Sequence, residues 1–210
     1  MGTFITFEGG DGCGKTSVIR AILERLKKDG FEVVLTREPG GSLIAEKIRN
    51  IILDVDNTGM DYVAEMLLYA ACRSQHLKDI VIPALNSNKL VICDRFVDSS
   101  YVYQGIARDL GLEQVTKINE LVVKDNMPDL TIYIDATPEI CLSRRNNRSE
   151  ADNRLDLESL EFHHKVRNGY KLISEKFKNR IVTVDGDQPL ENVIEDAYHV
   201  ICDYLKRNSK

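Results

Sequence analysis

Gly9-Gly10-Asp11-Gly12-Cys13-Gly14-Lys15-Thr16 sets a lysine and a hydroxyl directly behind a glycine-rich turn, an order suited to holding a polyphosphate. Gly9, Gly12 and Gly14 can take backbone angles closed to other residues, so the chain can approach a phosphate with no Cβ in the way. Successive N–H groups, Gly10 and Cys13 included, then form a concave anion nest. A helix running back from Thr16 and Ser17 adds free donors and its positive dipole end. Lys15 supplies a mobile charge for the β- and γ-phosphates, and Thr16 a hydroxyl for a metal ion. The bland alternative is a loop that only turns the chain. Against it stand the GxxxxGKT spacing, the β-branched and aromatic run Thr3–Phe7 before it and the helical pattern Ser17–Leu23 after it.

Other residues with chemical potential fall at strand ends and on helix faces. Leu90-Val91-Ile92-Cys93 is apolar throughout and delivers Asp94 and Arg95 to the carboxyl edge of a strand, the Walker B position for holding a metal. Tyr69 and Arg73 lie four apart on a predicted helix and so share a face, although Tyr69 alone reads as a core residue. Asp98 to Gly105 concentrates hydroxyls and an amide, with Ser99, Ser100, Tyr103 and Gln104 able to read a base and a sugar or to cap helices. Arg37-Glu38-Pro39-Gly40-Gly41 is a breaker-rich turn at the end of a second strand, where open α/β sheets place ligands. Between Arg144 and Arg154 the apolar period is lost and four arginines gather, as in a mobile basic lid that closes over a γ-phosphate. Cys13, beside a helix N-terminus and Lys15, has the surroundings of a thiol with a depressed pKa.

The elements that must position these groups alternate strand and helix. Strands are expected at 3–7, 31–36, 89–95, 130–135 and 180–185. Helices are expected from 17, at 42–53, 61–86, 113–124, from 138, at 155–178 and at 189–207. Five strands alternating with helices mean α/β: a three-layer sandwich around a five-stranded parallel sheet. The 210 residues carry no Pro, Ser or Gly-rich linker, so one domain spanning 1–210 is expected, with the lid at about 144–154.

Composition removes several classes. A net charge of -5 argues against a general nucleic-acid surface. No stretch has the length of a bilayer span and no signal peptide opens the chain, so a cytoplasmic protein is expected. Five cysteines without a CxxC pair suggest reduced thiols rather than disulfides or zinc. The four histidines also lack metal-ligand spacing, and His163 and His164 read as a solvated surface pair.

Taken in order, FEGGDGCGKT, TREPGG, LLYAACRSQH, DRFVDSSYVYQG and RLDLES resemble the thymidylate kinases, P-loop nucleoside monophosphate kinases that convert dTMP to dTDP, and most nearly the bacterial form with a basic lid. The resemblance spans essentially the whole chain. It implies ATP as phosphoryl donor, Mg²⁺, the small-molecule substrate dTMP and a homodimer. Position by position it implies that Asp11 accepts from the sugar 3′-hydroxyl and that Glu38 and Pro39 lie near metal and acceptor phosphate. Arg49 and Arg95 would grip that phosphate, Tyr69 would stack on thymine where the family has Phe, and Arg73 would reach the base. Ser99, Ser100 and Gln104 would line the base and Tyr103 would crowd the 2′ position. Some relatives carry an Arg where this chain has Gly12, so the extra cation must come from the lid, with Arg148 the first candidate and Arg154 the second. Arg144 would face the donor. The alternatives are a kinase for another nucleoside monophosphate or a deoxynucleoside, and a GTP-dependent switch. A switch would want Asn-Lys-x-Asp after a strand, whereas Asn88-Lys89-Leu90-Val91 lacks the Asp and precedes one.

Overall fold

The computed structural model describes residues 2–146, 154, 155 and 157–208. Five strands, β1 (Thr3–Glu8), β2 (Val33–Arg37), β3 (Leu90–Asp94), β4 (Leu130–Asp135) and β5 (Ile181–Asp185), form one sheet in the order β2-β3-β1-β4-β5. All four pairings are parallel, with Phe7 of β1 opposite Asp94 of β3 and Arg37 of β2 opposite Asp94 on the other side. From β1 the chain crosses to the β2 edge, and from β3 it crosses to β4 on the opposite side. The crevice therefore opens at the carboxyl ends of β1 and β3, the switch point at which such sheets bind ligands.

Strand alternation divides the interior into two cores. Ile5, Phe7, Ile92, Ile132 and Ile134 face α1 (Lys15–Lys28) and α9 (Leu190–Asn208), meeting Val18, Ile22, Ala197 and Ile201. Phe4, Val91, Cys93 and Tyr133 face the opposite way, toward α3 (Tyr62–His76), α6 (Leu112–Val123) and α8 (Leu160–Lys176). Glu8 follows the Phe4 parity and is therefore carried into the second face rather than toward α1.

Three expectations change in detail. The helix expected over 61–86 is α3, a π-helical turn at Leu77–Val81 and then α4 (Ile82–Asn86). Pro83 accounts for the turn: it has no N–H to donate and its ring collides with the carbonyl four residues back, so the backbone widens, with Ile82 N–H donating to Leu77 O. The helix expected from Leu155 starts at Leu160, because the Ser159 side chain caps it by accepting from Phe162 N–H at 3.2 Å. The hydroxyl-rich run from Asp98 to Gly105, assigned to no element above, falls on α5 (Val97–Ser100) and a second π-helical stretch, Tyr101–Ala107. α2 (Leu43–Leu53) and α7 (Pro138–Asn146) lie within about a residue of the expected boundaries. His163 is a correction: it is 7% exposed beneath α8, and only His164 reaches the surface, where it meets Glu139 at 3.0 Å. Among the described residues no helix is long and apolar enough to cross a membrane.

Candidate functional site

Gly14, at φ 99°, ends the glycine loop and turns directly into α1, which has neither a side-chain cap nor an acidic residue in its first turn. Ser17 N–H already donates to Gly14 O at 3.1 Å, so the N–H groups of Lys15 and Thr16 and the dipole end are what an external anion meets. Gly12 allows no other residue in this packing: a Cβ there would lie 2.2 Å from the Cys141 carbonyl at the start of α7. The arginine that some relatives carry at this place has no room here. Lys15 is buried, its Nζ donating to the carbonyls of Gly9 and Gly10, each at 3.0 Å. Thr16 Oγ1 donates to Asp94 Oδ2 at 3.3 Å, so the glycine loop and the end of β3 converge on one pair of oxygen donors. Arg144 closes the back of the loop, with Nη1 3.0 Å from Gly186 O and 3.4 Å from Cys13 O.

A cavity of about 380 Å³ extends from Thr16 and Asp94 across to Tyr69, Gln104 and Leu155. On its near wall Arg95 donates through Nη2 to Asp11 at 2.6 Å and through Nη1 to Ser99 Oγ and Tyr170 OH, each at 3.2 Å. Arg95 adopts φ 69°, a left-handed conformation costly for a residue with a Cβ; strain of about 1–3 kcal/mol there is what turns the guanidinium back over the loop. Burial alone would raise the Asp11 pKa, but Arg95, Lys15 and the Tyr103 hydroxyl, which donates to Oδ2 at 2.9 Å, hold it well below the usual carboxylate range. Arg49 Nη1 rests on the Pro39 carbonyl at 2.6 Å at the mouth.

The far wall is built on Glu38. Its backbone N–H donates to Asp94 O at 3.0 Å, and its buried carboxylate accepts from Arg73 Nε at 2.8 Å and from His76 Nδ1 at 2.9 Å. Each oxygen carries one of these bonds, so Glu38 ties the wall together as well as lining the cavity beside Asp94. Arg73 also donates to Asn119 Oδ1, Phe96 O and Ser100 Oγ. Ser100 lies behind Arg73 and accepts from it, while Ser99, Tyr103 and Gln104 line the cavity.

Arg154, the second lid candidate, is turned inward. Its backbone N–H donates to Leu53 O at 3.2 Å and its Nε to Ile52 O at 3.0 Å, while its guanidinium pairs with Glu65. Arg148, the first candidate, lies outside the described residues. Cys13 is 2% exposed with Sγ 3.7 Å from Lys15 Nζ, a packed thiol rather than the accessible nucleophile its neighbours in sequence suggest.

Sequence reasoning missed Glu8, Glu65, Asn119 and Tyr170, each a buried polar group whose partners are far away in the chain. It also missed Arg20 and Arg37 on the cavity wall. For Arg20 a signal existed, since it follows Thr16 by four and shares its helical face. Glu8 accepts from Phe96 N–H at 2.8 Å, Ser99 Oγ at 2.6 Å and Tyr170 OH at 2.7 Å. Burial and then Asp98 push its pKa from 4.5 up to about 7, against Arg95 and the hydrogen bonds from Ser99 and Tyr170. The native state thus holds a proton here that the unfolded chain has released. The resulting stabilisation is complete below the unfolded value and is lost as pH rises through the folded one. Glu8→Gln is expected to flatten the fall in Tm between about pH 5 and pH 8. Melts in which the variant declines as steeply as the wild type would place the linkage elsewhere.

A β2-β3-β1-β4-β5 parallel sheet with a glycine loop after β1 and a facing carboxylate after β3 defines a P-loop nucleotide-binding protein. The family model described as thymidylate kinase matches residues 7–197. The thymidylate kinase of Ligilactobacillus salivarius is 52% identical over 206 residues, covering 97% of this chain and 99% of that relative. That of Bacillus velezensis is 51% identical over 207 residues, with 98% of each covered. The crystal structure of thymidylate kinase from Ehrlichia chaffeensis superposes with a TM-score of 0.78 at 33% identity, covering 96% of this chain and 98% of that one. This chain belongs to the thymidylate kinase family.

Proposed function

We propose that this chain transfers the γ-phosphoryl group of ATP to dTMP, giving dTDP and ADP. The observation that carries the reading is one cleft that begins at Asp11 and Thr16 of the glycine loop and has Tyr69, Arg73 and Gln104 at its other end. ATP lies with its phosphates on the Gly9–Thr16 loop, Ser17 and Arg144 beside it, and dTMP lies across the cavity with its phosphate toward Arg95 and Arg49. Phosphoryl transfer asks for in-line positioning and neutralised charge more than for covalent chemistry, so no protein nucleophile is required. Thr16 Oγ1 and the Asp94 carboxylate are hard oxygen donors that suit Mg²⁺, which supplies charge neutralisation to the polyphosphate when bound. Lys15 leaves the carbonyls of Gly9 and Gly10 for the phosphate oxygens. Asp11, kept anionic, accepts from the sugar hydroxyl and orients Arg95. Tyr103, on the same carboxylate, fills the space where a 2′-hydroxyl would project.

The apolar surface fits a homodimer: Val63 and Leu67 on α3 and Leu121 on α6 are exposed, while other faces of both helices pack into the core. A cytoplasmic setting goes with this substrate chemistry. A coupled assay of ADP release over dTMP, dUMP, dCMP, dGMP and thymidine tests the assignment. dTMP should be the best acceptor, with measurable turnover of dUMP, because one methyl is worth only about 1–3 kcal/mol in an apolar pocket. Faster turnover of any other acceptor than of dTMP would refute it.

A further inference from the structure

Glu65 is fully buried on α3, one turn before Tyr69, and makes no contact with the glycine loop in the geometry above. Its Oε1 accepts from Gln104 Nε2 at 2.8 Å. On its other oxygen it meets two cations: Arg154 is paired with Oε2, and Arg108 Nη2 lies 3.6 Å from the same atom. Arg108 is itself fixed, 2.5 Å from Glu158 and stacked between the rings of Tyr62 and Phe162 at 4.6 and 4.7 Å. An ionised carboxylate can only accept hydrogen bonds, so the amide of Gln104 has one allowed orientation: NH₂ toward Glu65, carbonyl oxygen toward the cavity it lines.

We propose that Glu65 is a specificity-determining positioning residue: by dictating which way Gln104 faces, it makes the base pocket accept a pyrimidine with an N–H on its pairing edge and refuse one with a bare ring nitrogen. Thymine and uracil carry N3–H and match the Gln104 carbonyl. Cytosine presents N3 as an acceptor and sets two lone pairs against each other. A buried site that has to leave a polar group unmatched discriminates by orders of magnitude, far beyond what a methyl group supplies. The inference rests on dTMP being the acceptor.

Glu65→Gln tests it. The two arginines hold the carbonyl oxygen of the new side chain, which leaves its NH₂ facing Gln104. Gln104 then turns over, accepting through its carbonyl and presenting NH₂ to the cavity. The ratio of kcat/KM for dTMP to that for dCMP is expected to fall at least about tenfold, through a higher KM for dTMP and a lower one for dCMP. In Gln104→Ala the dTMP efficiency should fall without any gain on dCMP. A wild-type preference that survives Glu65→Gln within about twofold overturns the proposal alone. A wild-type enzyme with no preference for dTMP over dCMP overturns the acceptor assignment and the proposal together. One measurement needs no folded Glu65 variant: in ¹⁵N-glutamine-labelled wild type, with Gln104 assigned by its absence in Gln104→Ala, the side-chain NH₂ should be protected from exchange before dTMP is added. Protection that arises only on adding dTMP overturns the proposal, since the NH₂ would then be serving the ligand.

Discussion

Lys15→Ala is expected to lower kcat by about a hundredfold to a thousandfold while changing the KM for dTMP little. Lys15 is the buried cation of the loop, hydrogen-bonded to two backbone carbonyls and only in the field of Asp11, so its charge remains available to a phosphate. In a reaction whose charge spreads over the transferring group, a preorganised cation is worth most in the transition state. Single-turnover phosphoryl transfer at saturating ATP and dTMP separates this from binding. A variant with near-normal kcat and only a raised KM for ATP would reduce Lys15 to an anchor. A thermal melt of the variant separates fold loss from lost catalysis, since Lys15 holds two backbone carbonyls of the loop.

Glu38→Ala is expected to cost about 3–5 kcal/mol of folding stability, an unusually large loss for a residue on a cavity wall. Glu38 is 5% exposed, and the groups it serves, Arg73 and His76, are 1% and 0% exposed. Deleting the carboxylate strands the Arg73 charge in the interior and leaves the His76 Nδ1 donor unmatched. For a chain of this size the fall in Tm should be about 6–20 °C. Thermal melts decide the matter: a variant that loses activity with an unchanged Tm would return Glu38 to the ligand-binding role expected from sequence. Glu38→Gln should lie between, since it keeps one acceptor for Arg73.

The phosphate loop was legible in the sequence because its chemistry is local: glycines, lysine and hydroxyl occupy consecutive positions between a strand and a helix, so spacing alone specifies geometry. Asp94 was legible for a similar reason, as a carboxylate that ends an apolar run. The Tyr69 and Arg73 pair came from helical spacing, and both do reach the cavity. What the sequence hid is long-range. Glu8 meets Tyr170 across 162 positions and Glu65 meets Arg154 across 89, and a lone glutamate on a helix looks like surface until its partners are known. Arg154 illustrates the converse: in a run of arginines it reads as a solvated lid cation, yet an acidic partner inside the fold, Glu65, drew it into the interior. The π-helical turns were hidden because an extra residue per turn barely disturbs an apolar pattern over five to seven positions.

Arg73 carries one more consequence. Among the described residues, four hydrogen bonds, to Glu38, Asn119, Phe96 and Ser100, occupy all but one N–H of its fork, and the ring of Phe96 lies 5.3 Å from it. The freedom a long side chain ordinarily surrenders to grip a visitor is given up here as the polypeptide collapses, so docking at this end demands almost no further ordering. The same stiffness makes this end of the pocket a template that does not stretch: any ring that pressed on Arg73 would have to break bonds made when the core formed, so the shape of this wall is set long before a visitor arrives.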